Sequence, residues 1–166
     1  LVGSEMCIRD SDAATGRAAY FSKYDIIRDD YRTVMATCAL PGFCRPVKVG
    51  EHFYYDGGVA DSIPLHHAIE QGCTKMVVIL SNPRDFVKKP EAHRPLYKHM
   101  LHKYPKTIQS IDNRHINYQA SIDLACRLEK EGYVFIFAPS RHMPLSTFSK
   151  DAALEQDLYD LGVADY

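Results

Sequence analysis

The chain has 166 residues, of which 46% are hydrophobic and 25% charged, with a formal net charge of -1. That length suits one domain, or one and a part, and the apolar share supports a buried core rather than a disordered chain. The balanced charge argues against a dedicated nucleic-acid binder, and no apolar run approaches the roughly 20 residues of a membrane-spanning helix.

Residues 1–11 have neither the basic start nor the apolar core of a signal peptide. They fit nothing after them and resemble the translated read-through of a sequencing adapter, so they are set aside from the expected fold. Beyond the Thr15-Gly16 turn, weak alternation predicts a strand within Arg17–Tyr24. Asp29 is placed to cap a helix over Tyr31–Leu40 that buries Val34, Met35, Cys38 and Ala39 and ends at Pro41-Gly42. Val47–Tyr55 reads as a strand pair, or one strand bent at Gly50-Glu51.

The aromatic run Phe53-Tyr54-Tyr55 carries Asp56 to Gly57 and Gly58, which can adopt angles closed to other residues and leave room beside the carboxylate. Asp-Gly is also a hairpin signal, but Ile63–Glu70 looks helical, with Asp61 or Ser62 as its cap, Pro64 in its first turn and Gly72 as its stop. On residue types alone, Asp56 is either a structural turn residue or a functional carboxylate. Lys75–Leu80 is apolar throughout, as expected of a strand covered on both faces in a parallel sheet.

Residues 84–106 are basic, and Leu96, Tyr97, Met100, Leu101 and Tyr104 form a helical stripe opposite Lys98, His99, His102 and Lys103. Such a helix either lies on an anionic membrane surface or packs its apolar side on the core. A long helix over Thr107–Lys130 carries the stripe Ile108, Ile111, His115, Tyr118, Ile122 and Ala125, with His115 expected as a hydrogen-bonded core histidine. A strand over Tyr133–Ala138 and a helix over Asp151–Leu161, capped by Ser149 or Asp151, complete the chain.

Other chemistries find weak footing. The five cysteines (Cys7, Cys38, Cys44, Cys73 and Cys126) are an odd number without a Cys-x-x-Cys pair, a usage expected of reduced thiols in a cytoplasmic protein. Cys38 is expected in the core, and neither it nor Cys44 has a neighbour that would activate it for a cysteine hydrolase. His99 and His102 share a helix face, with His93 and His115 nearby, but no carboxylate or thiol joins them at ligand spacing. His66 and His67 point to different faces. No metal or other cofactor is expected, and no phosphate-binding loop occurs.

Thr15-Gly16, the run Ala36–Phe43, Asp56-Gly57-Gly58, Ile63-Pro64-Leu65 and the strand Lys75–Leu80 stand in an order that resembles the patatin-like phospholipase family. The likeness covers residues 12–80, the C-terminal part of the family's catalytic domain, with residues 81–166 as a helix-rich region holding one further strand. It implies a three-layer α/β fold with a mainly parallel sheet, and a lipid acyl hydrolase that cleaves carboxylic esters with a Ser-Asp dyad. Asp56 matches the dyad's aspartate, Gly57 and Gly58 match the rest of its motif, and the Tyr31–Leu40 helix would leave room for an acyl chain. Asp61 is expected as a helix cap rather than a second catalytic carboxylate. The family's Gly-x-Ser-x-Gly nucleophile and its oxyanion loop do not occur among the 166 residues, so the chain is expected to be a fragment carrying only the Asp half. The implied partner is an acyl-ester lipid, with peripheral contact to an anionic membrane through residues 84–106 and none to nucleic acid. The competing class is a non-catalytic binding module in which Asp56 only shapes a turn.

Overall fold

The computed structural model describes residues 7–144 and 150–165. Two compact units interleave along the chain: residues 1–64 with 88–121, and residues 65–87 with 122–166.

The first unit is built on a four-stranded sheet in the order β2-β1-β4-β3, comprising β1 (Ile8–Asp12), β2 (Ala18–Phe21), β3 (Val47–Val49) and β4 (His52–Asp56). Every pairing in it is antiparallel. The mainly parallel sheet expected from the sequence is thereby corrected for this unit: short turns join β1 to β2 and β3 to β4, and antiparallel neighbours of this kind need no helical crossover. Val49 pairs with His52 across Gly50-Glu51, with Gly50 at a φ of 58°, as the sequence suggested for a strand pair.

Residues 8–11, set aside at the level of sequence, form the strand between β2 and β4. The ladder that holds them runs between backbone N–H and C=O groups, which every residue but proline carries whatever its side chain. The side chains fit less well, as Asp10 shows below.

The β1–β2 turn is held by Asp12. Its Oδ1 accepts from the Ala14 and Thr15 amides at 3.0 and 2.8 Å and from the Thr15 hydroxyl at 2.9 Å, while His52 Nδ1 lies 3.0 Å from Oδ2. Gly16, at a φ of 67°, closes the turn where a Cβ would sit 2.5 Å from the Lys106 carbonyl.

Helix α1 (Arg32–Ala36) is shorter than predicted. Asp29, at a φ of 63°, does not cap it; Tyr31 occupies the N-cap position without a side-chain hydrogen bond. Its buried residues are Thr33 and Ala36, whereas Val34, Met35 and Cys38 are exposed, which overturns the expected core role of Cys38. The helix stops before Cys38, so a 3.6-residue extrapolation assigned that residue to the wrong face. The core under the sheet gathers Ala13, Ala39, Tyr55, Val59, Leu101, Ile108 and Ile111, with Tyr97 and Tyr104 packed beside it. Helix α3 (Arg94–Met100) thus lays part of its stripe on the core while Leu96 and Met100 stay exposed. Helix α4 (Pro105–Lys130) contributes its residues up to Ser121 to this unit.

The second unit holds helix α2 (Leu65–Glu70), β5 (Met76–Ile79), β6 (Val134–Phe137), helix α5 (Ala152–Asp165) and the rest of α4. Strands β5 and β6 pair in parallel, with Val78 opposite Ile136. Gly72, at a φ of 81°, ends α2 as predicted. The two-sided covering expected of β5 does not hold: Val78 is buried, but Val77 is 62% and Ile79 80% exposed. A continuous apolar run has the same sequence whether one face or both are packed. The Asp151 carboxylate caps α5 by accepting from the Ala153 and Leu154 amides at 3.0 and 3.2 Å; the alternative cap, Ser149, lies outside the described residues.

Candidate functional site

Strand β4 ends at Asp56, and a 3-10 turn over Gly57–Val59 follows directly, so the hairpin reading of Asp-Gly does not apply. The Asp56 amide donates to the Ala39 carbonyl at 3.0 Å, tying the strand end to the segment after α1. Oδ1 of Asp56 accepts from the Gly58 amide at 2.7 Å. No described residue donates to Oδ2, and Asp56 is only half-buried. One oxygen is therefore tethered and the other is open to a proton donor.

The two glycines serve a purpose other than unusual backbone angles. Neither has a positive φ, which corrects the expectation from sequence. At Gly57 a Cβ would lie 2.1 Å from the Arg9 carbonyl of the neighbouring strand. Only hydrogen fits there. At Gly58 a Cβ would meet Asp56 Oδ1 at 3.2 Å and Arg114 Nη2 at 3.5 Å.

Ser11 binds the turn from β1: its hydroxyl donates to the Asp56 carbonyl at 2.8 Å and accepts from the Ala60 amide at 3.0 Å. The Gly58 carbonyl accepts from the Ser62 hydroxyl at 3.0 Å and from Arg114 Nε at 2.7 Å. The Asp61 carboxylate accepts from the Tyr20 hydroxyl at 2.5 Å. Burial, helped by that carboxylate, pushes the Tyr20 hydroxyl well above the ordinary phenol range. Asp61 and Ser62 thus spend their side chains on Tyr20 and Gly58, and neither bond is the helix cap expected of them.

A second carboxylate stands beside the first. Asp10 pairs with Asp56 across β1 and β4, on the same sheet face, and is 0% exposed. Neither of its oxygens has a hydrogen-bond partner; the Thr37 hydroxyl donates to the Arg9 carbonyl at 3.1 Å instead. Burial first and the Asp56 charge second push the Asp10 carboxyl up to about 7, against weaker lowering by the Arg9 charge. Like charges directly opposite in a sheet repel, and an unpaired buried carboxylate is costly, so the proton is the natural resolution.

The other candidates do not converge. Among the described residues no group of three His, Cys, Asp or Glu side chains could hold a metal ion. The His99 and His102 rings lie 6.5 Å apart, and His102 Nδ1 is 3.0 Å from the His99 carbonyl rather than aimed at a shared centre. Cys38 and Cys44 are both exposed. His115 is half-buried with Nδ1 unpartnered, so the expected hydrogen bond is not formed there. In the second unit an apolar recess of about 450 Å³ is lined by residues including Leu80, Phe137, Pro139, Leu158 and Gly162. Ser81 and Asp165 also line it, but among the described residues no hydrogen bond joins them, and Asp165 Oδ2 accepts from the Ser140 amide at 2.7 Å.

Two residues of the turn escaped the reading from sequence. Ser11 fell within the stretch set aside. Arg114 had one signal: it stands three residues after Ile111, on the edge of the buried stripe of α4.

A half-open carboxylate at the end of an aromatic strand, closed by glycines that admit a neighbouring backbone, defines an α/β chain with a candidate acid–base site. Residues 18–69, which contain that strand and turn, match the patatin-like phospholipase family, and residues 104–166 match a domain of unknown function, DUF6363. The patatin-like resemblance of the sequence is thus met over the segment that carries Asp56, and with it the association with hydrolysis of lipid acyl esters. No curated protein matches the chain.

Proposed function

We propose that Asp56 is the base of a Ser-Asp dyad in a lipid acyl hydrolase, with the serine supplied by residues outside these 166. The observation that carries this reading is the split of the Asp56 carboxylate, with Oδ1 held by the Gly58 amide and Oδ2 without a donor among the described residues. A serine hydroxyl is a poor nucleophile until a base within roughly 2.6–3.2 Å takes its proton. Oδ2 takes that proton as the serine oxygen bonds to the ester carbonyl carbon and the carbonyl electrons move onto oxygen. Collapse of the tetrahedral species expels the alcohol, which recovers the proton from Asp56. Water then attacks the acyl-enzyme and gives its proton to Asp56; the serine–acyl bond breaks, the serine oxygen recovers that proton, and the fatty acid leaves. Backbone amides outside this chain would hold the oxyanion.

A second reading draws on the same hydrogen bond: Oδ1 caps the 3-10 turn, as a purely structural aspartate would. The experiment that separates them joins the chain to the nucleophile half of a patatin-like relative and substitutes Asp56→Asn. Asparagine still accepts from the Gly58 amide, and it lacks the base. Loss of aryl-ester turnover with an unchanged melting temperature supports the dyad; full activity in the variant assigns Asp56 to the turn alone. The 166-residue chain by itself should take no label from a fluorophosphonate probe.

The basic stretch is read as the membrane-facing part. Leu96 and Met100 are exposed on α3, although Arg94 is paired with Asp112 at 2.7 Å and Lys88 with Glu91 at 3.6 Å. Among the described residues no helix is long and apolar enough to cross a membrane. Co-sedimentation with anionic but not neutral vesicles is the expected result; equal behaviour with both removes this part of the proposal.

A further inference from the structure

We infer that Arg114, carried by the first helix of the domain of unknown function, is a positioning residue for Asp56, and that the first half of this helix belongs to the acid–base site. This deepens the Ser-Asp reading and rests on it.

The orientation of the Asp56 carboxylate is set at the Gly58 peptide unit. Its N–H is the only described donor to the Asp56 carboxylate, so the orientation of that peptide sets where Oδ1, and with it Oδ2, is held. Glycine is the residue least able to fix its own backbone. The Gly58 carbonyl is instead clamped by Arg114 Nε at 2.7 Å, across 56 residues of sequence, with the Ser62 hydroxyl as a local second donor. Arg114 Nη1 binds Glu91 at 3.1 Å, so the planar fork is held at both ends. A guanidinium presents its donors in a fixed geometry and forms the stronger, charge-assisted type of hydrogen bond. A lysine offers a point charge in place of that fork.

The helix that presents Arg114 is itself anchored within the first unit, at the β1–β2 turn. Thr107, fully buried, donates to the Ala13 carbonyl at 2.8 Å, and the Ser110 hydroxyl donates to the Gly16 carbonyl at 2.7 Å. Ile108 and Ile111 enter the same core as Tyr55 and Val59, the residues before and after the Asp56-Gly57-Gly58 turn. Arg114 therefore stands one helical turn beyond a buried anchor and reaches back to the motif. Residues 104–121 then have an assignable role: they set the position of a carboxylate that the patatin-like segment carries.

The test uses the 166-residue chain and hydrogen–deuterium exchange read by mass spectrometry, which requires no activity. Two peptides are compared, residues 53–62 across the turn and residues 107–118 along the helix. Arg114→Ala should speed exchange of the turn peptide about 10-fold or more while the helix peptide stays at its wild-type rate. An unchanged turn, or equal acceleration of both peptides, overturns the inference. Should the alanine variant fail to fold, Arg114→Lys is read by the same ratio. A turn that accelerates relative to the helix supports the fork, and a wild-type ratio overturns it. In the chain joined to a nucleophile half, Arg114→Ala should lower kcat about 10-fold with KM within about 2-fold. Faster exchange with kcat unmoved would reduce Arg114 to a structural clamp and overturn the positioning role. A joined protein that is inactive even with Arg114 present would count against the Ser-Asp reading, while the exchange ratio still decides the turn.

Discussion

Asp10 and Asp56 face each other on neighbouring strands, and their surroundings have made them opposites. Asp10 is enclosed, has no hydrogen-bond partner and holds its proton up to about pH 7. Asp56 keeps one oxygen on the Gly58 amide and leaves the other open. The same side chain, one strand apart, is in one place an enclosed acid that resists ionisation and in the other a half-buried carboxyl with one oxygen open. Environment assigns such roles, as it does wherever two carboxyls share a site.

The most severe way to break the comparison is Asp56→Asn in a chain joined to a nucleophile half. Removing a general base should cost about 10²–10⁴-fold in kcat, measured by aryl-ester release, with little change in thermal stability. Asp10→Asn in the same protein should leave turnover within a few-fold, because no oxygen of Asp10 opens to a substrate. Equal losses from both substitutions would merge the two roles.

The next test is pH. A carboxyl lifted from 3.8 to about 7 in the folded state binds its proton more tightly there than in the unfolded chain. Its contribution to stability is therefore fully present below about pH 4 and is lost as pH rises through 7. The ceiling on that loss is about 4 kcal/mol. Asp12 runs the other way: burial would raise it, but the Thr15 amide and hydroxyl and His52 outweigh burial and hold it below its ordinary value. Its contribution is lost as pH falls below the usual carboxylate range. Urea midpoints between pH 5 and 8 should fall with rising pH, and a flat profile would show that Asp10 is hydrated or paired.

Asp10→Val sharpens the same point with a smaller effect. It removes a buried, unpartnered carboxylate from a central strand and should stabilise the chain at pH 8 by about 1–3 kcal/mol while flattening the pH profile. Destabilisation instead would mean that the carboxylate has found a partner in solution. The smallest expected effect concerns the second unit, where Val77, Ile79 and Phe135 stand exposed. A contiguous apolar face of this kind should bind a hydrophobic dye, and Ile79→Lys should lower the fluorescence about 2-fold. No binding in the parent chain would show that the face is covered in solution.

The parts of this arrangement written in adjacent residues were legible in the sequence. An aromatic run, two glycines, a proline and a further glycine mark strand, turn, helix and stop between His52 and Gly72, and each signal acts over a few residues. The Gly50-Glu51 hairpin and the strands at 76–79 and 134–137, taken singly, were legible for the same reason; the pairing of those two strands with each other was not. What escaped depends on distant partners. Arg114 reaches Gly58 across 56 positions, and no local pattern specifies that contact. The reason for Gly57 lies on another strand, in the Arg9 carbonyl, rather than in its own φ. Antiparallel order in the larger sheet was hidden because strand residues alternate in the same way whichever direction the neighbour runs.

Helix α4 runs unbroken for 26 residues, and its first part is packed into the core that also holds Tyr55 and Val59. The second family match begins just before it, at residue 104, well after the first ends at residue 69. A gene split there would separate Thr107, Ile108 and Ile111 from the sheet they cover, removing two isoleucines whose burial is worth about 1.5–3 kcal/mol each. The start of the second match is not a seam between folding units, since residues 88–121 belong to one of them. The two segments are therefore expected to be inherited together, and recombination that exchanges one without the other should yield insoluble protein.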